Sequence, residues 1–227
     1  MPEHSAKPEA GRPRLYGRAK GRPLRGHQQA LMQDLYPQIE IDVDKVHKHI
    51  LEKELWLEIG FGGGEHLIWQ AEKNPDVALW GAEPFINGVA KVVAAVDQKN
   101  LENVRLYRGD GRLVLDCLQN ESVSRLFVLF PDPWPKARHN KRRLITERFL
   151  DDAYRILKPG AHFRFASDIT DYVDWTLTRV LQHGGFSWRP ETQSSWRTRP
   201  SDWPQTRYES KANREGRPSH YFEFERQ

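Results

Sequence analysis

The chain has 227 residues, 35 Lys+Arg against 31 Asp+Glu for a formal charge of +4, and one cysteine, Cys117. That length supports one domain with a real core, and one cysteine excludes an internal disulfide, a zinc ribbon and a CxxC redox motif. No apolar run approaches the ~18 residues of a membrane span and the Arg-rich start lacks the apolar stretch of a secretory signal, so the expectation is a soluble, cytoplasmic protein with no membrane partner.

Residues 1–28 carry Lys7, Arg12, Arg14, Arg18, Lys20, Arg22 and Arg25 against Glu3 and Glu9, a local +5 that leaves the remainder near neutrality. With glycines and prolines among the cations, this stretch has too little apolar surface to order itself. It reads as a flexible basic arm, residues 1–28, ahead of a single domain, residues 29–227. A localised polycation suits nucleic acid or an anionic surface; a solvated tail that only aids solubility is the alternative.

From about residue 42 the pattern alternates between helix and strand. A short helix is expected near Asp42 to Glu54, then a buried strand in LWLEIGF, a helix near Glu65 to Lys73, a strand over 77–84 and a helix from Ile86 to Lys99. The series continues with strand 104–110, a short helix to about Leu118, strand 125–132, helix 145–157, strand 161–168 and helix 170–182. FSW at 186–188 follows, and HYFEFE at 220–225 alternates like an antiparallel strand. Strands alternating with helices predict an α/β fold with a parallel sheet covered on both faces. Ligands bind such sheets beyond the carboxyl ends of the strands. That rule singles out Glu58, Glu83, Asp110, Asp132 and Asp168, each at or near the end of a successive expected strand.

Glu58 to Gly64, EIGFGGG, leaves the first strand and enters a helix, with Gly60, Gly62 and Gly64 letting the backbone lie against a ligand. Glu65 stands where the dinucleotide fingerprint needs its third glycine, and an acid there repels a pyrophosphate. The GK[ST] ending of a P-loop is also missing. A ligand without phosphates, preferably cationic, fits better. Glu58 could face an ammonium group or ordered water, Glu83 two ribose hydroxyls and Asp110 an exocyclic adenine amine, and those demands describe S-adenosyl-L-methionine.

Together with Glu83, GD at 109–110 and LKPG at 157–160, the ExGxGxG run resembles that of a Rossmann-like class I methyltransferase. More narrowly, PDPWPKARHNKRR at 131–143, FASD at 165–168 and TRYE at 206–209 resemble the bacterial tRNA (guanine-N7-)-methyltransferase family from about residue 40 onward. The resemblance implies a mostly parallel seven-stranded sheet with helices on both faces and an antiparallel C-terminal strand. It also implies methyl transfer from S-adenosyl-L-methionine to N7 of guanosine 46 in the variable loop of tRNA, without a metal, by a monomer or homodimer. Asp132 becomes the catalytic residue, touching the cofactor as well, while Lys136, Asp168, Thr206, Arg207, Tyr208 and Glu209 contact substrate. Proline at 135, where the family often has a polar residue, departs from the pattern and stiffens the loop.

Pro131 and Pro133 would hold the Asp132 carboxylate with little freedom. Lys136, Arg138, Lys141, Arg142 and Arg143, with His139, would grip phosphates around the target. Trp134 is expected in the core, with base stacking as the alternative; Trp196 and Trp203 are open between the same two roles. Asp168 could instead cap the helix near Thr170, and Glu209 could merely pair with Arg207 or a neighbour, though its place after a long irregular segment favours a functional loop. His47, His49, His162 and His220 show no metal-ligand spacing. The rival readings are methylation of an exocyclic base amine, for which DPW lacks the second consecutive proline, and a non-catalytic RNA-binding protein, whose cofactor acids would be lost. A dehydrogenase ranks lowest because of Glu65.

Overall fold

The computed structural model describes residues 15–17, 19–45 and 53–227. Its centre is a seven-stranded sheet of order β3-β2-β1-β4-β5-β7-β6, built from β1 (Leu55–Ile59), β2 (Ala78–Ala82), β3 (Val104–Tyr107), β4 (Val123–Leu129), β5 (Leu157–Ser167), β6 (Phe186–Ser187) and β7 (His220–Arg226). The first five strands pair in parallel, and β7 runs antiparallel to both β5 and β6. All five residues of β1 are buried, as expected of a central strand covered on both faces. Alternation then sorts side chains between two cores. Leu55, Leu57, Leu126, Val128, Phe163, Phe165, Phe222 and Phe224 face one; Trp56, Phe127, Leu129 and Tyr221 face the other.

Eight helices are described: α1 (Gly26–Asp34), α2 (Tyr36–Ile39), α3 (Glu65–Lys73), α4 (Ile86–Lys99), α5 (Gly111–Cys117), α6 (Glu147–Ile156), α7 (Thr170–His183) and α8 (Arg207–Arg214). From β1 the chain steps outward through β2 to β3, then returns to the other side of β1 with β4. The crevice between β1 and β4 is thus the switch point at which doubly wound sheets bind ligands. None of these helices is long and apolar enough to cross a membrane.

Apart from the helix expected near Asp42 to Glu54, the expected elements are present with shifted ends. β4 begins two residues early and stops at Leu129, where Phe130 turns to φ +52°. β5 takes in LKPG and spans 11 residues. The helix expected from Asp42 falls on a turn through Lys45 and on residues 46–52, which lie outside the described residues. Residues 1–14 and Arg18 of the basic arm also lie outside them. Ala19 accepts from the Ile86 N–H (3.1 Å) and the Arg22 carbonyl from the Asn87 amide (2.7 Å), which seats the described end of the arm on the first turn of α4.

Besides α2 and a 3₁₀ turn at Gln193–Trp196, three helical pieces were unexpected. In α1, Leu31 and Met32 supply the contact with the second core, too short an apolar stripe to read as periodic. The 3₁₀ turn at Ala137–Arg142 is polar apart from Ala137. The third, α8, replaces the expected loop at 206–209: Thr206 is its N-cap, accepting from the Glu209 N–H at 3.2 Å.

Candidate active site

The strand tips and the loops after them enclose a cleft of about 360 Å³, within the range of small-molecule sites. Gly60, Gly62, Glu83, Asp110, Asp132, Lys141, Arg142 and Tyr208 line it, joined by Ile59, Ala82, Phe85 and the unanticipated Leu15, Tyr16 and Gly17. The glycine turn holds φ +79°, +55° and +75° at Gly60, Gly62 and Gly64, conformations a side chain resists. Glu83 fixes this turn: its Oε2 accepts from the Gly62 N–H (2.8 Å) and its Oε1 from the Phe85 N–H (2.9 Å). Burial raises the Glu83 pKa, with the two N–H donors opposing and Asp132 and Glu58 adding to the rise. Gly88 in α4 escaped the sequence reading although a Cβ there would stand 2.1 Å from the Gly62 carbonyl oxygen. A glycine inside a helix, with its entropic cost, was the available signal.

The strand-end acids differ in what already binds them. Glu58 sits at 4% exposure outside the main cleft, its Oε2 2.8 Å from His66 Nδ1. His66 Nε2 meets the Gln70 amide (3.1 Å), which also donates to the Asp202 carbonyl (2.7 Å). His66 and Gln70 were missed because each looks like an ordinary residue on the buried face of α3. Asp110 caps α5 through the Arg112 N–H and holds the Arg112 guanidinium with both oxygens. Asp168 accepts from Arg217 Nε at 2.7 Å and does not cap α7, whose N-cap is Ile169 with no side-chain bond.

Asp132 is different. Among the described residues no donor is bound to its carboxylate, although it lines the cleft beside Gly62 and Glu83. Its surface is open to solvent within the concavity, yet surrounding protein strips enough hydration to raise its pKa. Phe130 (φ +52°) and Trp134 (φ +43°) bracket the Pro-Asp-Pro segment in left-handed conformations uncommon for bulky residues.

The basic run after Trp134 divides. Lys136 and Arg138 are exposed beside the loop, and Lys141 and Arg142 reach the cleft. Loss of hydration and the charges of Arg142, Arg138, Lys136 and Lys141 lower the His139 pKa, which disfavours a further cation there. Arg143 corrects the expectation of a phosphate contact: it is 2% exposed, donates to the Pro133 carbonyl (2.9 Å), pairs with Asp171 and lies over the Tyr172 and Trp175 rings. It straps the Asp132 loop to α7. Arg143→Met should cost about 2–3 kcal/mol, chiefly from the unpaired Pro133 carbonyl and the lost ring contacts rather than the solvent-screened Asp171 pair. Activity should fall with it. Thermal unfolding and turnover of one preparation check this, and an unchanged melting temperature contradicts it.

The remaining expectations also divide. Of TRYE, only Tyr208 enters the cleft. Thr206 caps α8, Arg207 Nε donates to Glu65 (2.7 Å), and Glu209 is buried against Arg199 (3.1 Å), not Arg207. Burial opposes charge on Glu65, but Arg207 and Lys91 outweigh it and lower its pKa. Trp134 is not in the core; it lines the cleft. Trp203 is core at 3% exposure, and Trp196 stacks on His220 and Phe222.

The profile of a family described as "Putative methyltransferase" matches residues 52–222. A tRNA (guanine-N(7)-)-methyltransferase of Ruegeria sp. (strain TM1040) is 44% identical over 239 residues, covering 100% of this chain and 93% of that protein. Its counterpart in Caulobacter sp. (strain K31) is 49% identical, covering 87% of this chain and 88% of its own length. Among solved structures, the 16S rRNA methyltransferase KamB has a TM-score of 0.55 at 14% identity, covering 82% of this chain and 94% of its own. SMU.1697c of Streptococcus mutans, in complex with SAH, has a TM-score of 0.51 at 10% identity and coverages of 82% and 95%. Identities this low carry the fold alone.

Proposed function

This chain belongs to the tRNA (guanine-N(7)-)-methyltransferase family, and from that premise we propose that Asp132 presents the guanine of nucleotide 46, in the tRNA variable loop, to a cofactor held over the glycine turn. The enzyme transfers a methyl group from S-adenosyl-L-methionine to N7 of guanine in tRNA.

The residues present fit that cofactor. The turn carries Glu65 at the start of α3, unfavourable to a phosphate but not to a sulfonium. Glu83 would receive the ribose hydroxyls with the lone pairs left beyond its two backbone bonds. Glu58, with Oε2 on His66, would turn Oε1 toward the ammonium side, and Asp110 would receive the adenine amine by sharing its oxygens with Arg112. Bound there, S-adenosyl-L-methionine supplies an electrophilic methyl group.

N7 of guanine has a free lone pair at neutral pH, so no proton need leave before attack and no strong base is required. The work of the protein is alignment, which contributes several kcal/mol when reactants are held in line. Asp132 would accept from guanine N1–H and the 2-amino group, fixing the ring and enriching its electron density. One observation carries this assignment: of the strand-end acids, Asp132 alone has a carboxylate uncommitted to any donor among the described residues. Lys136, Arg138, Lys141 and Arg142 would hold phosphates nearby, with the basic arm contributing further charge. A cytoplasmic setting suits the one cysteine, Cys117, buried with its thiol pushed up to about 11.

The deciding experiment is methyl incorporation into a tRNA and into the same tRNA with its variable-loop guanosine replaced. Incorporation should be lost in the second and appear as 7-methylguanosine in the first. Equal incorporation into both rejects nucleotide 46.

A further inference from the structure

We propose that Trp134 and Tyr16 form an aromatic slot that favours the target guanine in its methylated, cationic form, so that these rings stabilise charge as it develops during transfer. The inference rests on the function above and extends it to two residues outside the acid set.

The charge follows from the chemistry. The N7 lone pair becomes the new N–C bond, the C–S bonding pair returns to sulfur, and no proton leaves. The purine therefore passes from neutral to cationic in one step. A group that attracts the ring more strongly after that change than before lowers the barrier. Aromatic faces do this for flat cations through their quadrupole, increasingly so when water is excluded.

The slot is recognisable from a cation already within it. Arg142 places its guanidinium carbon 4.6 Å from the Tyr16 ring centroid and 4.9 Å from that of Trp134. The two rings meet edge to face at 6.2 Å. Arg142 Nε is buried with no hydrogen-bond partner among the described residues, so at that atom the planar cation is met by rings rather than by acceptors. All three residues line the cleft with Asp132. The adjoining Gly17 lies so close that a Cβ on it would be 3.6 Å from Asp132 Oδ2, which puts the slot beside the proposed guanine anchor. His139 also presents its ring edge to face to Trp134 at 6.0 Å, and loss of hydration with the cations around it lowers its pKa. Trp134 is held at φ +43°, a costly conformation for a tryptophan that recurs where function demands it. The cationic occupant shows that these faces accept a flat, delocalised positive charge. Methylated guanine has the same character, while unmethylated guanine has the shape without the charge, and the target base would take these faces as the Arg142 side chain leaves them for the phosphates assigned to it above.

The test uses the full-length enzyme as wild type, Trp134→Leu, Trp134→Phe and Tyr16→Leu. Single-turnover methyl transfer is measured at saturating cofactor and tRNA, alongside Kd for the same tRNA with and without 7-methylguanosine. Trp134→Leu should slow transfer about tenfold and weaken binding of methylated tRNA by a similar factor, the scale of one desolvated cation–π contact. Kd for unmethylated tRNA should stay within about twofold, Tyr16→Leu should shift in the same sense, and Trp134→Phe, which keeps a ring, should recover most of the rate. Equal weakening of both tRNAs, or an unchanged rate in Trp134→Leu, overturns the proposal. So does an effect confined to S-adenosyl-L-methionine relative to its demethylated product, which would assign the rings to the sulfonium. A wild-type enzyme that fails to methylate tRNA would instead overturn the function itself.

Discussion

Asp132→Asn should reduce methyl transfer by about 10²–10³ while leaving cofactor affinity within about twofold. Guanine offers two donors, N1–H and the 2-amino group, and a carboxylate accepts both. An asparagine has one accepting oxygen and must turn its own N–H₂ toward the second donor. The loss of one charge-assisted bond and the opposed donors together amount to roughly 3–4 kcal/mol. Because Asp132 bonds to no donor among the described residues, the substitution leaves no protein partner unpaired and the fold should be unaffected. Rapid-quench methyl transfer with titration of the cofactor separates the two effects, and near-normal turnover would remove the assignment.

The same residue sets a pH dependence. Partial loss of hydration in the cleft raises the Asp132 pKa, so the acid limb of kcat/KM should lie above the ordinary aspartate value of about 3.9 and vanish in Asp132→Asn. The linkage has the opposite sense for stability: a raised folded-state pKa contributes stability below the unfolded value, and this is lost as pH rises through the folded one. Acidification therefore does not unfold the enzyme through this group. Intrinsic fluorescence across the limb should be flat while activity falls.

The second large effect belongs to Glu83→Ala, for which cofactor affinity should fall about 100-fold or more. Two consequences coincide. The ribose hydroxyls lose a charged acceptor, and the Gly62 and Phe85 N–H groups lose the oxygens that pin the turn at 2.8 and 2.9 Å. Each unpaired N–H costs roughly 1–3 kcal/mol unless water reaches it, so the melting temperature should drop by several degrees as well. Glu83→Gln, with one accepting oxygen, should fall between. Calorimetric titration with S-adenosyl-L-methionine measures the change, and an affinity within about threefold of wild type would free Glu83 from the role.

The sheet was legible in the sequence because its strands are apolar on both faces and end on acids. Glu83 and Asp132 could be placed at the cleft from that pattern, since strand order brings the tips of β2, β1 and β4 side by side. Which acid was already spoken for was not legible. Asp168 meets an arginine 49 positions away, and Glu58 meets a histidine across the glycine turn. No local pattern carries such pairings. Arg143 stood in a run of cations from which it could not be told apart until the 3₁₀ turn aimed it at Pro133. The Thr206 cap is written in the sequence as Thr-x-x-Glu ahead of a helix, a pattern that serves a helix start and a substrate-binding loop alike until the helix is seen.

The Gln70 amide has two hydrogens. One goes to the carbonyl of Asp202, 132 positions downstream, which leaves the other for His66 Nε2. That nitrogen must then present its lone pair, so the imidazole hydrogen sits on Nδ1 and points at Glu58. The tautomer beneath the glycine turn is thereby dictated by a main-chain oxygen in the segment that leads into α8, so that β1, α3 and that segment share a single proton alignment.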